Sequence, residues 1–325
     1  MKKLNVALAI LVAAVTAGNA QTTVTSETVG YQTSTIAGKG AGSSFLSFVP
    51  NNLSKSAIYT GSASASGTMI TFPDASLTGT LGPVSGVPTH YLLVKSGTGA
   101  GFVSDITAFT AGSVTTADNL SSSIPSGTTV SVVPHTKLTD ILGTTTGLLV
   151  TGGSTVSAAD NVYLVDATGA LKIYYYKTSV GAGWKTSSGA DATATIVYPG
   201  ESIIVSRKQT APVSVVTLGQ VASEQTKAVF AQNMNSACSG APVGLTLSSL
   251  YPPVSGGSTV SAADTVFLIN PTTGALDIFY YKTGIGAGWK TAAGATADAT
   301  RDISSGYLVK RRAATAAVLT QTKTW

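Results

Sequence analysis

Cysteine, histidine and charge are all scarce in this chain, and each scarcity removes a class of function. Cys238 is the single cysteine among 325 residues, so no intrachain disulfide framework can form and stability must come from sheet packing. The two histidines, His90 and His135, lie far apart in the sequence. Zinc or copper takes a cluster of nitrogen and sulfur ligands, so no metal is expected, and both histidines are read as partly exposed residues at strand ends or in loops. Charged residues make up 10% of the chain and the net charge is +5. That balance is too slight for the basic footprint of a nucleic-acid binder, and no nucleic-acid partner is expected.

Catalytic signatures are missing as well. Serines are abundant, yet no G-x-S-x-G elbow occurs. The stretch from Gly38 to Ser43 lacks the G-x-x-x-x-G-K spacing of a phosphate loop and reads as a strand connection. Paired carboxylates of the glycosidase kind do not stand out. The chain is therefore read as a non-enzyme with no cofactor.

The first twenty residues carry a different message. Lys2 and Lys3 precede an apolar run from Val6 to Val15, and the small-residue stretch Ala17 to Ala20 follows. This is the three-part plan of a secretory signal peptide with cleavage after Ala20. The run is shorter than the roughly 20 residues of a membrane span, and no later segment reaches that length, so no transmembrane segment is expected. Cleavage removes two lysines and no acid, lowering the net charge by two. A secreted, extracellular or cell-surface location follows as an expectation.

An internal duplication governs the second half. Residues 152–160 and 256–264 both read GGSTVSAAD. The match continues from Val162–Val165 to Val266–Ile269, from Tyr175–Thr178 to Tyr280–Thr283, and from Gly181–Thr186 to Gly286–Thr291. One extra residue sits in the second copy's first turn, where hairpins tolerate insertion. Asp160 and Asp264 occupy equivalent turns and are read as structural, with carboxylates accepting backbone N–H bonds. Apolar and aromatic residues alternating at period two predict hairpins, and Gly and Pro punctuate every gap between the strand candidates of the first third.

The predicted fold class is all-β, with two or three antiparallel β-sandwich or small barrel-like domains. The expected boundaries are a signal peptide at 1–20, an N-terminal β domain at 21–135, a first repeat module at 136–221, a connection at 222–243 and a second repeat module at 244–325. Short helical turns are expected at Leu138–Leu142 and Leu245–Leu250 only.

Three sets of residues are candidates for contact with partners. Residues 21–36 alternate polar and β-branched side chains, so Thr22, Val24, Val29, Tyr31 and Ile36 mark a strand that can add to a neighbour's open sheet edge. Tyr174, Tyr176 and Trp184, with Phe279, Tyr281 and Trp289 in the second copy, form an aromatic ladder. Such rings either stack on sugars or a partner chain, or close a hairpin by cross-strand packing. Asn52 and Asn119 head N-x-S sequons and are candidate glycosylation sites.

The order of elements carries a resemblance. VGYQT, a Gly-rich turn and FLSF within Val29–Phe48 are followed by HYLLVKSG at His90–Gly97. SGTTVSVVPHTKLTDIL at Ser126–Leu142 comes next, and then the YYYK and GW elements. This order resembles an uncharacterised family of secreted verrucomicrobial β-rich proteins, over nearly the whole mature chain. That family has no established activity, so the resemblance implies no catalytic or binding residue. His135-Thr136-Lys137 stands where an aromatic pair is common in the family. The function expected from these readings is a secreted structural subunit of an extracellular filament or surface layer, a homopolymer joined by β-strand addition and aromatic contacts. A carbohydrate-binding surface module, with glycans as partners, is the alternative.

Overall fold

The computed structural model describes residues 28–40, 45–73, 77–79, 81–222, 225–240 and 244–321. The fold is all-β, with every paired strand antiparallel. The only helical elements among these residues are a single α-turn at Leu138–Leu142 and a 3-10 turn at Leu247–Leu250, where the two Leu-rich segments predict them. No helix among these residues is long and apolar enough to cross a membrane. The expected signal peptide lies outside the described residues.

Six strands between residues 59 and 134 form a closed barrel. Its strands pair in the order Tyr59–Ser66, Met69–Thr71, Ser113–Thr116, Val103–Phe109, His90–Val94 and Thr128–Pro134, the last returning to the first. Side chains alternate between the two faces of a strand, so Ile70, Leu92, Val94, Ile106, Val114, Val130 and Val132 converge in a filled interior. Closure leaves this unit without a free sheet edge.

The barrel is an insertion, and it divides the first repeat. The strand Val29–Ile36 pairs with Val213–Val221, and Leu46–Pro50 pairs with Ser202–Ser206. Residues 28–40 and 45–54 therefore fold with residues 136–222, and the expected N-terminal domain at 21–135 is not one unit. The expected connection at 222–243 is corrected in the same way. Thr226–Phe230 pairs with Ala317–Gln321, and Asn233–Ala237 pairs with Tyr307–Arg311. These two strands open the second repeat as Val29–Ile36 and Leu46–Pro50 open the first. The duplication is thus longer than the sequence match shows, because its opening strands have diverged beyond recognition and the barrel separates them from the rest in one copy only.

Each repeat carries a five-stranded sheet with the same order. The first is built from Gly183–Thr186, Leu171–Lys177, Asn161–Val165, Ser202–Ser206 and Leu46–Pro50. The second uses Gly288–Thr291, Leu276–Lys282, Thr265–Ile269, Tyr307–Arg311 and Asn233–Ala237. One face of each sheet lies on its own core, around Val162, Leu164 and Trp184 in one repeat and Val266, Leu268 and Trp289 in the other. The opposite faces meet each other, where Phe48, Ile204 and Leu308 pack with Tyr163, Val165, Phe267 and Ile269. Burial on both faces explains why the central strands Asn161–Val165, Ser202–Ser206, Thr265–Ile269 and Tyr307–Arg311 carry apolar residues in succession rather than at every second position.

The two repeats clasp each other reciprocally. The turn at Gly169 of the first packs on Asn233 and Met234, where Asn233 Nδ2 donates to the Thr168 carbonyl at 3.3 Å. The turn at Gly274 of the second packs on Phe45, and the Leu46 amide donates to the Gly274 carbonyl at 3.1 Å. Gly169 has φ +78, and a Cβ there would lie 2.7 Å from the Met234 backbone nitrogen. Gly169→Val is accordingly expected to destabilise the protein by about 2 kcal/mol or more, from left-handed strain and overpacking together. Urea unfolding checks it, with Gly189→Val as the comparison, because Gly189 has φ +88 but open space around it.

Candidate functional site

The strand Val29–Ile36 is the outermost strand of a three-stranded sheet, followed by Val213–Val221 and then Leu53–Ser54. Among the described residues only one of its two backbone edges is paired. Its sequence, VGYQTSTI, holds no charge and no proline. Ile36 is fully buried in the first repeat's core and anchors the strand, so it is not available as a surface contact. Val29 and Tyr31 are 70% and 75% exposed, and across the ladder Val216 and Leu218 are 56% and 76% exposed. Tyr31 pairs with Leu218 and Thr33 with Val216, which makes one continuous apolar stripe on the outer face. Thr22 and Val24 lie outside the described residues.

The equivalent strand of the second repeat supplies an internal comparison. Thr226–Phe230 is five residues long, carries Lys227 and is covered by a barrel loop. Lys227 Nζ donates to the Thr98 carbonyl at 2.9 Å and lies 4.2 Å from the Phe102 ring centre, while Gln225 Nε2 donates to the Ala100 carbonyl at 3.1 Å. A short, charged, covered edge is protected against pairing with another chain, and a long neutral unpaired one is not.

The aromatic ladder is mostly interior, which corrects its reading as a contact surface. Trp184 is 1% exposed, Trp289 4%, Tyr176 5% and Phe279 5%, so none of these four offers a face to a sugar or a partner. Tyr174 and Tyr281 are half-buried and packed against the two cores. Tyr176 meets Trp184 edge to face at 5.8 Å, and Tyr281 meets Trp289 in the same way at 5.7 Å. The Trp184 indole donates to the Gly143 carbonyl at 2.8 Å.

Asp160 and Asp264 are buried staples. Asp160 accepts from the amides of Thr151 at 2.7 Å and Lys208 at 2.6 Å, and Arg207 lies 3.9 Å away. Asp264 accepts from the amides of Ser255 and Arg312 and pairs with Arg311 at 3.1 Å. Each carboxylate fixes the repeat's turn to the basic pair that ends its fourth strand. Of the two sequon asparagines, Asn52 is 8% exposed and its Nδ2-bearing side chain has no room for a glycan in the folded protein. Asn119 is exposed, in a turn where its Oδ1 accepts the Ser121 amide at 3.1 Å.

Sequence spacing did not reveal a cluster between barrel and first repeat. Strand pairing sets His90 opposite Pro134, bringing the two histidines close. His135 is 2% exposed rather than partly open. It sits between Tyr91 and Tyr198, with Nε2 at 3.0 Å from Asp105 Oδ1, an ion-pair distance without hydrogen-bond alignment. The Tyr198 hydroxyl donates to Asp105 Oδ2 at 2.9 Å. Burial and the neighbouring His135 lower the His90 pKa, and burial with the Asp105 charge raises that of Tyr198. Of the nearby hydroxyls, Ser104 donates to Asp118 Oδ2 at 2.7 Å and Thr89 Oγ1 lies 2.8 Å from His90 Nδ1. The cluster ties the barrel to the first repeat.

Beside it, a cleft of about 990 Å³ opens between the barrel and both repeats. Phe102, Tyr174, Tyr198 and Met234 give it apolar walls, and Asp118 and Glu201 are among its carboxylates. Burial pushes the Glu201 carboxyl up to about 7. Among the described residues no three His, Cys, Asp or Glu side chains come together as a metal site. Compared with protein-family models, with curated proteins and with solved structures, the chain matches none.

Proposed function

We propose that the chain is a secreted structural subunit that associates with copies of itself through the open edge and apolar face of Val29–Ile36. The observation that supports this reading is the eight-residue neutral edge, unpaired among the described residues in one repeat while its counterpart is short, charged and covered in the other. The strand is already paired with Val213–Val221, so the reading shifts from donating it to a neighbour toward offering its free side as a template. Backbone groups on that side gain partners from another chain, and Val29, Tyr31, Val216 and Leu218 lose their exposure.

The test is a double substitution on the exposed face, Tyr31→Lys with Thr33→Lys. Surface changes of this kind alter stability by about 0.5 kcal/mol or less, whereas edge lysines oppose strand pairing. Light scattering and electron microscopy of the mature protein are expected to show assemblies for the parent and monomers for the variant, with equal urea midpoints. Assemblies that persist in the variant would reject this edge as the contact.

A further inference from the structure

A contact between two copies of the Val29–Ile36 edge, run antiparallel, is symmetric and stops at a pair. A filament or layer needs a second, head-to-tail surface, and the repeats carry a feature that nothing in the fold requires. Val180 and Ile285 stand at equivalent loop tips in the sequences TSVGAGW and TGIGAGW, and they are 94% and 96% exposed. Both copies keep a β-branched aliphatic residue at a position without packing. The flanking glycines have structural work: Gly181, Gly183, Gly286 and Gly288 all have positive φ. The aliphatic tips have none.

The two tips differ in charge. In the first repeat Lys185 pairs with Asp191 at 3.4 Å. At the matching place in the second repeat Lys290 faces Thr296, bonded at 3.0 Å, and no ion pair forms at Lys282 or Lys290 among the described residues. The second tip is therefore a bare basic knob capped by Ile285. The cleft has the opposite character, with apolar walls and the carboxylates Asp118, Asp166 and Asp191, while its lysine, Lys227, is engaged with Thr98 and Phe102. Asp191 belongs both to the cleft lining and to the first tip's ion pair, which leaves the second tip as the partner of matching charge.

We propose that the Ile285 tip of one copy docks in the cleft of the next, giving a head-to-tail contact between second copies of this chain. The proposal rests on the self-assembly reading above. Because tip and cleft are different surfaces, the contact is heterologous and propagates as an open chain. Combined with the symmetric edge contact, it builds a filament of paired strands or a layer.

Crosslinking tests it on the mature full-length protein, whose own Cys238 is buried. One preparation carries Ile285→Cys and another Gln232→Cys at the cleft, and a short bismaleimide is added to each alone and to their mixture. Crosslinked dimers are expected in the mixture and in neither preparation alone. Ile285→Asp is expected to weaken assembly by roughly tenfold or more, from loss of one buried aliphatic side chain, and Val180→Asp to leave it unchanged. Normal assembly of Ile285→Asp with no mixed crosslink would overturn this contact and leave the edge contact standing. A parent protein that never assembles would overturn both readings. Crosslinks within the Ile285→Cys sample alone, or tip-dependent binding to phosphatidylglycerol vesicles by a protein that stays monomeric, would overturn it in favour of a tip-to-tip pair or a lipid surface.

Discussion

Replacing Trp184 by Ala is expected to destabilise the protein by about 3–5 kcal/mol, the range for emptying a fully buried large aromatic site. The indole is 1% exposed, sits at the centre of the first repeat's core with Val162, Leu164, Val205 and Tyr176, and satisfies the Gly143 carbonyl at the end of the helical turn. The duplication sharpens the expectation. Trp289 occupies the equivalent site, yet its indole nitrogen has no hydrogen-bond partner among the described residues. Trp184→Phe should therefore be more harmful than Trp289→Phe by about 1–3 kcal/mol, the penalty for stranding a buried polar group. Urea unfolding of the two Phe variants measures this difference, and equal losses would show that the Gly143 bond contributes nothing.

Asp264→Ala is expected to be comparably damaging, by about 3–5 kcal/mol, because it leaves Arg311 buried without its carboxylate. The side chains are 1% and 7% exposed and 3.1 Å apart. The same change also strands the amides of Ser255 and Arg312, which Asp264 accepts at 2.9 and 2.8 Å. Asp160→Ala loses two equivalent amide bonds, and each arginine keeps a carbonyl partner, Leu149 for Arg207 at 3.3 Å and Pro253 for Arg311 at 3.2 Å, but Arg207 stands farther from its carboxylate, at 3.9 Å. The first-repeat variant should thus be the milder of the two. Thermal unfolding checks the order, and a larger loss for Asp160→Ala would contradict the ion-pair account.

Period-two alternation and turn residues were enough to place the repeat hairpins, because Asn161–Val165 and Leu171–Lys177 bury large side chains and are bounded by Gly and Asp. They were not enough for Tyr59–Ser66, whose sequence YTGSASAS carries almost no hydrophobic pattern. That strand is defined by its two ladder partners in the barrel, a tertiary fact with no local signal. The same holds for the opening strands of each repeat. VGYQTSTI and TKAVF share no residues that mark them as equivalents, and only their partners across the sheet do.

The candidate site was partly legible. Val29 and Tyr31 alternate as edge residues should, whereas Ile36 belongs to the core. The ladder's aromatics pointed to an exposed surface only on the premise that their face of each strand is open, and that face is the one that lies on each repeat's own core. The Asp160 and Asp264 staples followed from their turn positions. The His135, Asp105 and Tyr198 cluster did not, since its members come from residues 30 and 63 positions apart that only barrel closure and domain docking bring together.

Hydrogen–deuterium exchange at the backbone amides of Val29–Ile36, followed as protein concentration rises, tests the assembly account most directly. The account predicts that this strand becomes progressively protected while Thr226–Phe230, its covered counterpart, stays as it was. Exchange in Val29–Ile36 that is independent of concentration would contradict it.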